Sequence, residues 1–439
     1  MQKSRFNILT SRFSFILKLF KGDNSKKMKV LTQEDVLKSK HFCIIPWIHV
    51  HIMPDSSITP CCLTQYDEVY GYASKDGIGN VWNNKMFKTM RKLKLMDRPV
   101  HSCRKCYEVE ESNILSMRKR FNKLFIDSFK IALTTEPDGH VNNLKMKYFD
   151  VRFSNICNFK CRGCSPTLST KWYEDHQKLW DYKSEAPKLI NFTKKTPPLW
   201  KEIEGYLPYV ETAYFAGGEP LLMDEHYECL EKFIELKKTD VLLEYNTNLS
   251  ILKFKKYDIL DLWSQFENVN ISVSLDDIEE RGEYFRSGLN WDTFLKNCLI
   301  IKERFPHFIF TVNCTISVFN IHRIPEIHHE LFSRGIINSM GFNFNTLLDP
   351  IHYRTQVATK KLKVKTYTKL QNYIIELKRS YPNTDWSHFK AALTNQIHFM
   401  NSADLSHKLN EFKKVTINLD KIRNESFSKT YPELEELLN

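Results

Sequence analysis

Six strand-like segments recur along the chain between residues 147 and 350, and apolar and polar residues alternate along four of them. The segments are Tyr148–Ser154, Thr212–Ala216, Val241–Tyr245, Val269–Asp276, Ile309–Ile316 and Met340–Asn345. A period of two is typical of a β-strand whose two faces differ. Helix-length stretches separate the segments, which indicates a parallel sheet built from βαβ units. Six such units predict an α/β fold with a partial (β/α)6 barrel, because a closed barrel of this kind has eight.

The same alternation predicts a polar inner face. On the fourth segment Val269, Ile271, Val273 and Leu275 share one face and should pack beneath helices. The opposite face of several segments is polar, with Asp150, Arg152, Ser154, Asn270, Ser272, Ser274, Asp276, Thr311, Asn313, Thr315, Asn343 and Asn345. Packed barrels are filled by branched apolar side chains. The pattern therefore predicts a lumen that holds a ligand.

The first four segments each end in residues that suit ligand binding. Cysteines follow the first, Gly217-Gly218-Glu219-Pro220 the second, and Asn246-Thr247-Asn248 the third, while the fourth ends in Ser274-Leu275-Asp276. In β/α barrels the sites lie at the C-terminal ends of the strands. This coincidence predicts one site at that end.

Three of the eleven cysteines stand close together as Cys157, Cys161 and Cys164, a C-x3-C-x2-C spacing. Three thiolates can hold three irons of a [4Fe–4S] cluster and leave the fourth iron open to a chelating ligand. The alternative is a zinc site that a remote residue completes, because structural zinc takes four ligands.

A second cysteine group precedes the predicted barrel and contains Cys43, Cys61, Cys62, Cys103 and Cys106. The remaining Cys229, Cys298 and Cys314 lie on apolar faces and are interpreted as small buried hydrophobic residues.

The ordered set of motifs resembles the radical SAM enzyme superfamily over residues 147–350. The resemblance implies that Cys157, Cys161 and Cys164 bind a [4Fe–4S] cluster and that the open iron takes the amino and carboxylate groups of S-adenosylmethionine. It implies that the cofactor-binding residues are Gly217, Gly218, Glu219, Pro220, Asn246, Asn248, Ser274, Asp276 and Arg286. The alternative for Arg286 is a surface salt bridge, and no residue is predicted to be catalytic.

The N-terminal group resembles a twitch domain, the shortened relative of the SPASM domain. The resemblance rests on Phe42-Cys43-Ile44-Ile45-Pro46-Trp47, Thr59-Pro60-Cys61-Cys62, Gly79-Asn80-Val81-Trp82 and Cys103-Arg104-Lys105-Cys106. This order, with the twitch domain first, is similar to twitch-domain radical SAM proteins of bacteria and their phages. It implies a second, auxiliary [4Fe–4S] cluster. We favour Cys43, Cys61, Cys103 and Cys106 as its ligands, with Cys62 as the open question and structural zinc as the alternative.

These patterns predict the following domain order. From the N-terminus, the predicted regions are a basic tail over 1–30, a twitch-like domain over 31–130, a linker over 131–146, the radical SAM core over 147–356, and a helical C-terminal region over 357–439.

Positive charge is concentrated in two places. Residues 1–30 carry eight lysines and arginines against one aspartate, and residues 85–130 carry 13 against five acidic residues. Basic segments can bind nucleic acid or an anionic surface, or they can be solvated faces.

No apolar run reaches the roughly 18 residues that a membrane span needs. Without a convincing signal peptide, the chain is predicted to be cytoplasmic.

The resulting hypothesis is a radical SAM enzyme that takes a hydrogen atom from a peptide or protein. It would receive its electron from an external flavodoxin- or ferredoxin-like donor. The alternatives are modification of RNA or tRNA, modification of a small metabolite, and a non-enzymatic module that holds zinc or a cluster.

Overall fold

The computed structural model describes residues 32–65, 67–111, 115–181, 183 and 187–439, so the predicted tail over 1–30 lies outside the described residues. The chain divides into two compact units. Unit one consists of the described parts of Met1–Trp47 and Lys85–Asn142, and unit two of those of Ile48–Asn84 and Asn143–Asn439. The domain bounds given above stay a prediction.

Helices make up most of the described chain. In chain order the α-helices are α1 (Gln33–Lys38), α2 (Ile45–Ile48), α3 (Ala73–Asp76), α4 (Ile78–Trp82), α5 (Lys85–Leu95), α6 (Arg104–Glu111), α7 (Met117–Leu124), α8 (Phe129–Ala132), α9 (Trp172–Trp180), α10 (Phe192–Lys195), α11 (Pro197–Tyr206), α12 (Asp224–Glu235), α13 (Ile259–Trp263), α14 (Glu279–Phe285), α15 (Trp291–Arg304), α16 (Ile324–Ser333), α17 (Lys360–Ser380), α18 (Ser387–Asn401), α19 (Leu409–Arg423) and α20 (Phe427–Thr430). Short 3-10 helices span His101–Cys103, Ile126–Ser128, Leu207–Tyr209, Pro220–Leu222, Ile321–Arg323, Ile351–Tyr353, Thr355–Val357, Ser406–Lys408 and Pro432–Leu438.

The strands lie in unit two. They are β1 (His51–Ile52), β2 (Ser57–Thr59), β3 (Gly71–Tyr72), β4 (Tyr148–Val151), β5 (Thr212–Phe215), β6 (Leu242–Thr247), β7 (Lys253–Phe254), β8 (Tyr257–Asp258), β9 (Val269–Ser274), β10 (Ile309–Ile316) and β11 (Phe342–Thr346). The six predicted strands are β4, β5, β6, β9, β10 and β11, and they are neighbours in that order. Each neighbouring pair is parallel. The predicted α/β fold class is confirmed.

Three short strands that the sequence analysis did not predict extend this sheet. Strand β1 pairs in parallel with β4, and β2 and β3 follow in antiparallel order. Cys61 and Cys62 come directly after β2. The segment that carries these two cysteines is therefore part of the same sheet as the predicted core.

The predicted faces are also observed. Val269, Ile271 and Val273 of β9 are buried, and the residues between them are partly exposed. Strand β10 repeats this alternation. The sheet therefore has a dry face under helices and a polar face opposite.

The C-terminal helices of unit two pack against the carboxyl end of this sheet. Phe412 of α19 and Tyr431, which follows α20, belong to one buried cluster with Trp172, Tyr284 and Phe319. The C-terminal region therefore shares its apolar core with the segments that flank the predicted site.

Buried cations hold the interior of unit one together. Arg91 donates to the carbonyl of Pro46 at 3.0 Å, Lys94 to that of His41 at 2.8 Å, and Arg118 to that of Phe42 at 2.7 Å. All three side chains are buried. Buried carbonyl groups need such partners. Part of the basic stretch over 85–130 therefore serves the interior of the unit.

No helix in the described part of the chain is long and apolar enough to cross a membrane.

We predict that Arg118→Met destabilises unit one by about 3 kcal/mol, because it removes the ion pair with the partly buried Glu110 and the donor to the carbonyls of Ser39 and Phe42. Arg118 contacts Glu110 through Nε–Oε1 at 2.9 Å and Nη2–Oε2 at 2.5 Å. Amide hydrogen exchange of α7 measures the change. The matched control is Lys119→Met, since the Lys119 side chain is half exposed and lies 3.7 Å from Glu110. Equal exchange in the two variants would contradict the prediction.

Candidate functional site

The three clustered cysteines lie in the loop after β4, at the carboxyl end of the sheet. The side chain of Asn155 fixes the start of this loop by donating to the carbonyls of Pro166 and Lys188, both at 2.9 Å. Burial raises the pKa of Cys157, and the neighbouring Cys161 raises it further. Burial and Cys161 also raise the pKa of Cys164 to about 12. The loop thus brings the three predicted ligands together.

Arg162, inside the cysteine motif, anchors this loop to the C-terminal region. Its Nη2 atom lies 2.5 Å from Oδ1 of Asp420 and 2.6 Å from Oε2 of Glu425. Its guanidinium stands 3.7 Å from the centre of the Tyr284 ring. The sequence analysis missed Arg162 and both carboxylates, because more than 250 residues separate them and no local pattern connects them.

The Gly217-Gly218 turn passes close to the cysteine loop. Gly217 has φ +122°, and a Cβ atom on Gly218 would lie 2.1 Å from the carbonyl oxygen of Ile156. The next residue, Glu219, donates its N–H to that same carbonyl at 2.8 Å. Only glycine allows this approach, so the turn is held against the residue that precedes Cys157.

The carboxylate of Glu219 is buried and engaged within the protein. Oε1 accepts from Thr247 Oγ1 at 2.7 Å and from the N–H of Leu221 at 3.1 Å, and Oε2 accepts from the N–H of Asn248 at 2.7 Å. Burial raises the pKa of Glu219 to about 7, although these hydrogen bonds oppose the rise. The side chain joins the ends of β5 and β6, while Pro220 begins the 3-10 helix that follows.

Polar side chains form a connected belt across the inner face of the sheet. Asn246 donates to the hydroxyl of Tyr214, Asn313 donates to Oδ1 of Asn246 at 2.7 Å, and Asn343 donates to Oδ1 of Asn313 at 2.9 Å. Arg152 lies over the Tyr214 ring at 4.9 Å. Three of these residues, Arg152, Asn313 and Asn343, were predicted to face the lumen, and Asn246 was predicted to bind the cofactor. Tyr214 was missed because its strand otherwise carries small or apolar residues.

The end of β9 contributes a buried ion pair. Oδ2 of Asp276 lies 2.9 Å from Nη2 of Arg286, and Oδ1 accepts the N–H of Thr315 at 2.7 Å. Nη1 of Arg286 lies 3.8 Å from Sγ of Cys161. Arg286 is therefore not in a surface salt bridge, because its side chain is largely buried between Asp276 and Cys161. Ser274 is partly exposed on the inner face of the same strand.

Asn248 connects the third predicted strand to the cysteine loop. Its Nδ2 atom donates to Oδ1 of Asn158 at 2.9 Å and lies 4.0 Å from Sγ of Cys157. The structure thus places the predicted residues of β4, β5, β6 and β9 around one edge of the sheet.

These residues fit a [4Fe–4S] cluster with a chelating ligand. Nε of Arg286 is buried beside Cys161 and finds no acceptor among the described residues. Buried N–H groups are normally paired, and the sulfur atoms of iron–sulfur clusters accept hydrogen bonds. Across the described residues, no three histidine, cysteine, aspartate or glutamate side chains converge on a single-ion site.

The five N-terminal cysteines are divided between the units. Cys43, Cys103 and Cys106 belong to unit one, and Cys61 and Cys62 to unit two. In unit one, burial lowers the pKa of Lys94, but Cys103, Cys43 and Tyr107 raise it, and the result lies above the usual value. In unit two, burial, Asp150 and Cys61 raise the pKa of Cys62. Cys62 therefore lies near the inner face, and the choice between Cys61 and Cys62 stays a prediction.

Two protein-family models match the chain. The radical SAM superfamily model matches residues 151–331, and the SPASM iron–sulfur cluster-binding domain matches residues 43–107. The latter match spans all five N-terminal cysteines. A search of curated proteins found no match.

Solved structures of low similarity include "Native anSMEcpe with bound AdoMet", at 18% identity and a TM-score of 0.38, covering 54% of this chain and 62% of that one. Another is Streptococcus suis SuiB bound to precursor peptide SuiA, at 11% identity and a TM-score of 0.34, covering 75% and 71%. The chain spans less than two thirds of the first structure's length, and similarity at this level does not identify a substrate.

The two family models match in the order that the motifs predicted, with the cluster-binding domain first. The first contains the N-terminal cysteines, and the second contains the cysteine loop, the glycine turn and the Asp276–Arg286 pair. Residues 151–331 therefore form a domain of the radical SAM superfamily, and residues 43–107, which precede it, match the iron–sulfur cluster-binding domain called SPASM.

Proposed function

We propose that this enzyme takes a hydrogen atom from a peptide or protein substrate in the lumen of the sheet. When bound, the [4Fe–4S] cluster and S-adenosylmethionine supply the 5′-deoxyadenosyl radical that this reaction needs. Cys157, Cys161 and Cys164 would hold the cluster, and an external flavodoxin- or ferredoxin-like protein would provide the electron.

The chain's own residues would position the cofactor at the carboxyl edge of the sheet. The turn at Gly217 and Gly218 exposes backbone groups beside the cysteine loop, where they suit an ammonium group. The carboxylate of Glu219 keeps that turn in place, since its three hydrogen bonds join β5 to β6. Arg286 offers a cation next to Cys161 that suits a carboxylate.

A peptide or protein substrate is supported by the polar belt, which consists of Tyr214, Asn246, Asn313 and Asn343. Asparagine amides both donate and accept hydrogen bonds, as the groups of a peptide backbone do. The nearest cation, Arg152, is paired, because its Nε atom lies 2.7 Å from Oδ1 of Asp150. The four side chains of the belt are therefore neutral, and Glu244, opposite Tyr214 in the strand register, adds a carboxylate to the same face.

A nucleic-acid substrate would need cations for its phosphates. In the stretch over 85–130, Arg91, Lys94 and Arg118 are buried and serve carbonyl groups of unit one. The described part of this basic stretch thus gives less support to RNA than its charge alone suggests.

The first test of the proposal is anaerobic. After reconstitution we expect about eight irons per chain, two clusters of four, and 5′-deoxyadenosine on addition of dithionite and S-adenosylmethionine. Cys161→Ala should retain about four irons and form no 5′-deoxyadenosine. Cys298→Ala is the control with full iron, because Cys298 is buried in α15. Deoxyadenosine formation by Cys161→Ala would refute the core assignment, and four irons with one zinc would make the N-terminal site a zinc site.

We predict that Gly218→Ala abolishes binding of S-adenosylmethionine, because its Cβ atom would lie 2.1 Å from the Ile156 carbonyl oxygen and displace the turn. Equilibrium dialysis with labelled S-adenosylmethionine measures the loss. Gly205→Ala in α11 is the matched control, since no atom lies within 4 Å of its Cβ position. Unchanged affinity in Gly218→Ala would exclude the turn from the cofactor site.

The substrate class is tested by adding a mixture of random decapeptides or, separately, bulk tRNA. We expect the peptides to stimulate 5′-deoxyadenosine formation, with little change between 50 and 200 mM salt, because steep salt dependence marks phosphate binding. Asn313→Leu should reduce the stimulation about tenfold, equivalent to one or two lost hydrogen bonds. Thr311→Val, on the same face of β10, is the control. Stimulation by tRNA that falls steeply with salt would favour a nucleic acid.

A further inference from the structure

The C-terminal helix α19 ends in an arginine that lies beside the cysteine loop. The side chain of Arg423 is buried, and its Nε atom lies 2.8 Å from Oδ2 of Asp175. Its guanidinium carbon stands 4.7 Å from the centre of the Trp172 ring. Trp172 in turn donates its ring N–H to the carbonyl of Cys161 at 2.6 Å. One indole ring therefore connects Arg423 with the backbone of a predicted cluster ligand.

Both terminal nitrogens of Arg423 lack a protein acceptor. Nη1 and Nη2 are buried and have no hydrogen-bond partner among the described residues. Burying such donors unpaired is costly, and buried polar groups are normally satisfied. A buried cation with two unpaired donors, one indole ring away from the backbone of Cys161, points to an anionic partner at the cysteine loop.

Arg286 supplies a second cation to the same ligand. Its Nη1 atom lies 3.8 Å from Sγ of Cys161, and its Nη2 atom lies 2.9 Å from Oδ2 of Asp276. Cys161 therefore has Arg286 at its sulfur atom, while the Trp172 ring connects Arg423 to its carbonyl.

We propose that Arg423 is a positioning residue of the core cluster: it donates hydrogen bonds to the sulfur atoms of the cluster, and its charge stabilises the reduced state. Reduction adds one negative charge, which a buried cation favours. Net charge and hydrogen bonds to sulfur are among the determinants of cluster potentials. The inference rests on the proposed function, because it concerns the cluster held by Cys157, Cys161 and Cys164.

Asp175 pairs with Arg423 and carries the opposite charge, so the two side chains should shift the cluster potential in opposite directions when they are neutralised. Its Oδ2 atom lies 2.8 Å from Nε of Arg423 and 2.9 Å from Nζ of Lys160, so its charge partly offsets both cations. Neutralising Arg423 removes a positive charge near the cluster, while neutralising Asp175 removes a negative one. A charge effect therefore predicts shifts of opposite sign in the two variants.

The experiment is a redox titration of the reconstituted full-length protein, followed by electron paramagnetic resonance. The core signal is the one that Cys161→Ala lacks. Arg423→Met should lower its midpoint potential by about 59 mV or more, a tenfold fall in the ratio of reduced to oxidised cluster. Asp175→Asn should raise the midpoint, and Arg423→Lys should keep it close to the wild-type value.

A shift of the same sign in Arg423→Met and Asp175→Asn would overturn the proposal, because that result indicates loosening of the loop. An unchanged midpoint in Arg423→Met would also overturn it. If Arg423→Met loses its iron, the Asp175→Asn and Arg423→Lys variants still decide, since a lowered midpoint in either contradicts a charge effect. Failure of the proposed function is distinct: wild-type protein would then show no signal that depends on Cys161.

Discussion

The site depends on the common direction of six strands. Because β4, β5, β6, β9, β10 and β11 are parallel, the loops after them meet at one edge of the sheet. Register then decides which side chains meet: Asn246 is opposite Ser272, and Asn313 is opposite both Ser274 and Asn343. A slip by one residue would turn each polar side chain to the helix-covered face. Burial of Val269, Ile271 and Val273 on that face excludes such a slip.

Strand direction places the cysteine loop, and a buried charge fixes its shape. Arg162 is buried among Asp420, Glu425 and the Tyr284 ring. Burying an ion pair rarely adds much net stability, because desolvation offsets the attraction, but breaking one is strongly unfavourable. The ion pairs of Arg162 therefore act mainly on the specificity of folding. The cysteine loop can pack only where both carboxylates of the C-terminal segment reach Arg162. A helical region without chemical motifs thus becomes part of the candidate site.

Much of the fold and half of the site geometry follow from local sequence pattern. Strand-like segments, four of them with period-two alternation, predicted the six parallel strands, and the motifs at the ends of the first four predicted which loops meet. Strands β1, β2 and β3 escaped prediction, because two or three residues carry no period. Arg162 with Asp420, and Trp172 with Arg423, escaped because these pairs exist only through tertiary packing of distant segments. The sequence also could not show that the Glu219 carboxylate already accepts hydrogen bonds from Thr247, Leu221 and Asn248.

The polar belt limits what the lumen can accept. Asn246, Asn313 and Asn343 already satisfy one another, so the inner face is stable without a substrate. A ligand that displaces one of these bonds has to supply a donor and an acceptor in its place, since a partly buried amide left unpaired loses free energy. An apolar substrate cannot do so, and a phosphate offers acceptors only. Amide groups supply both, which is the reason why we propose a polypeptide substrate.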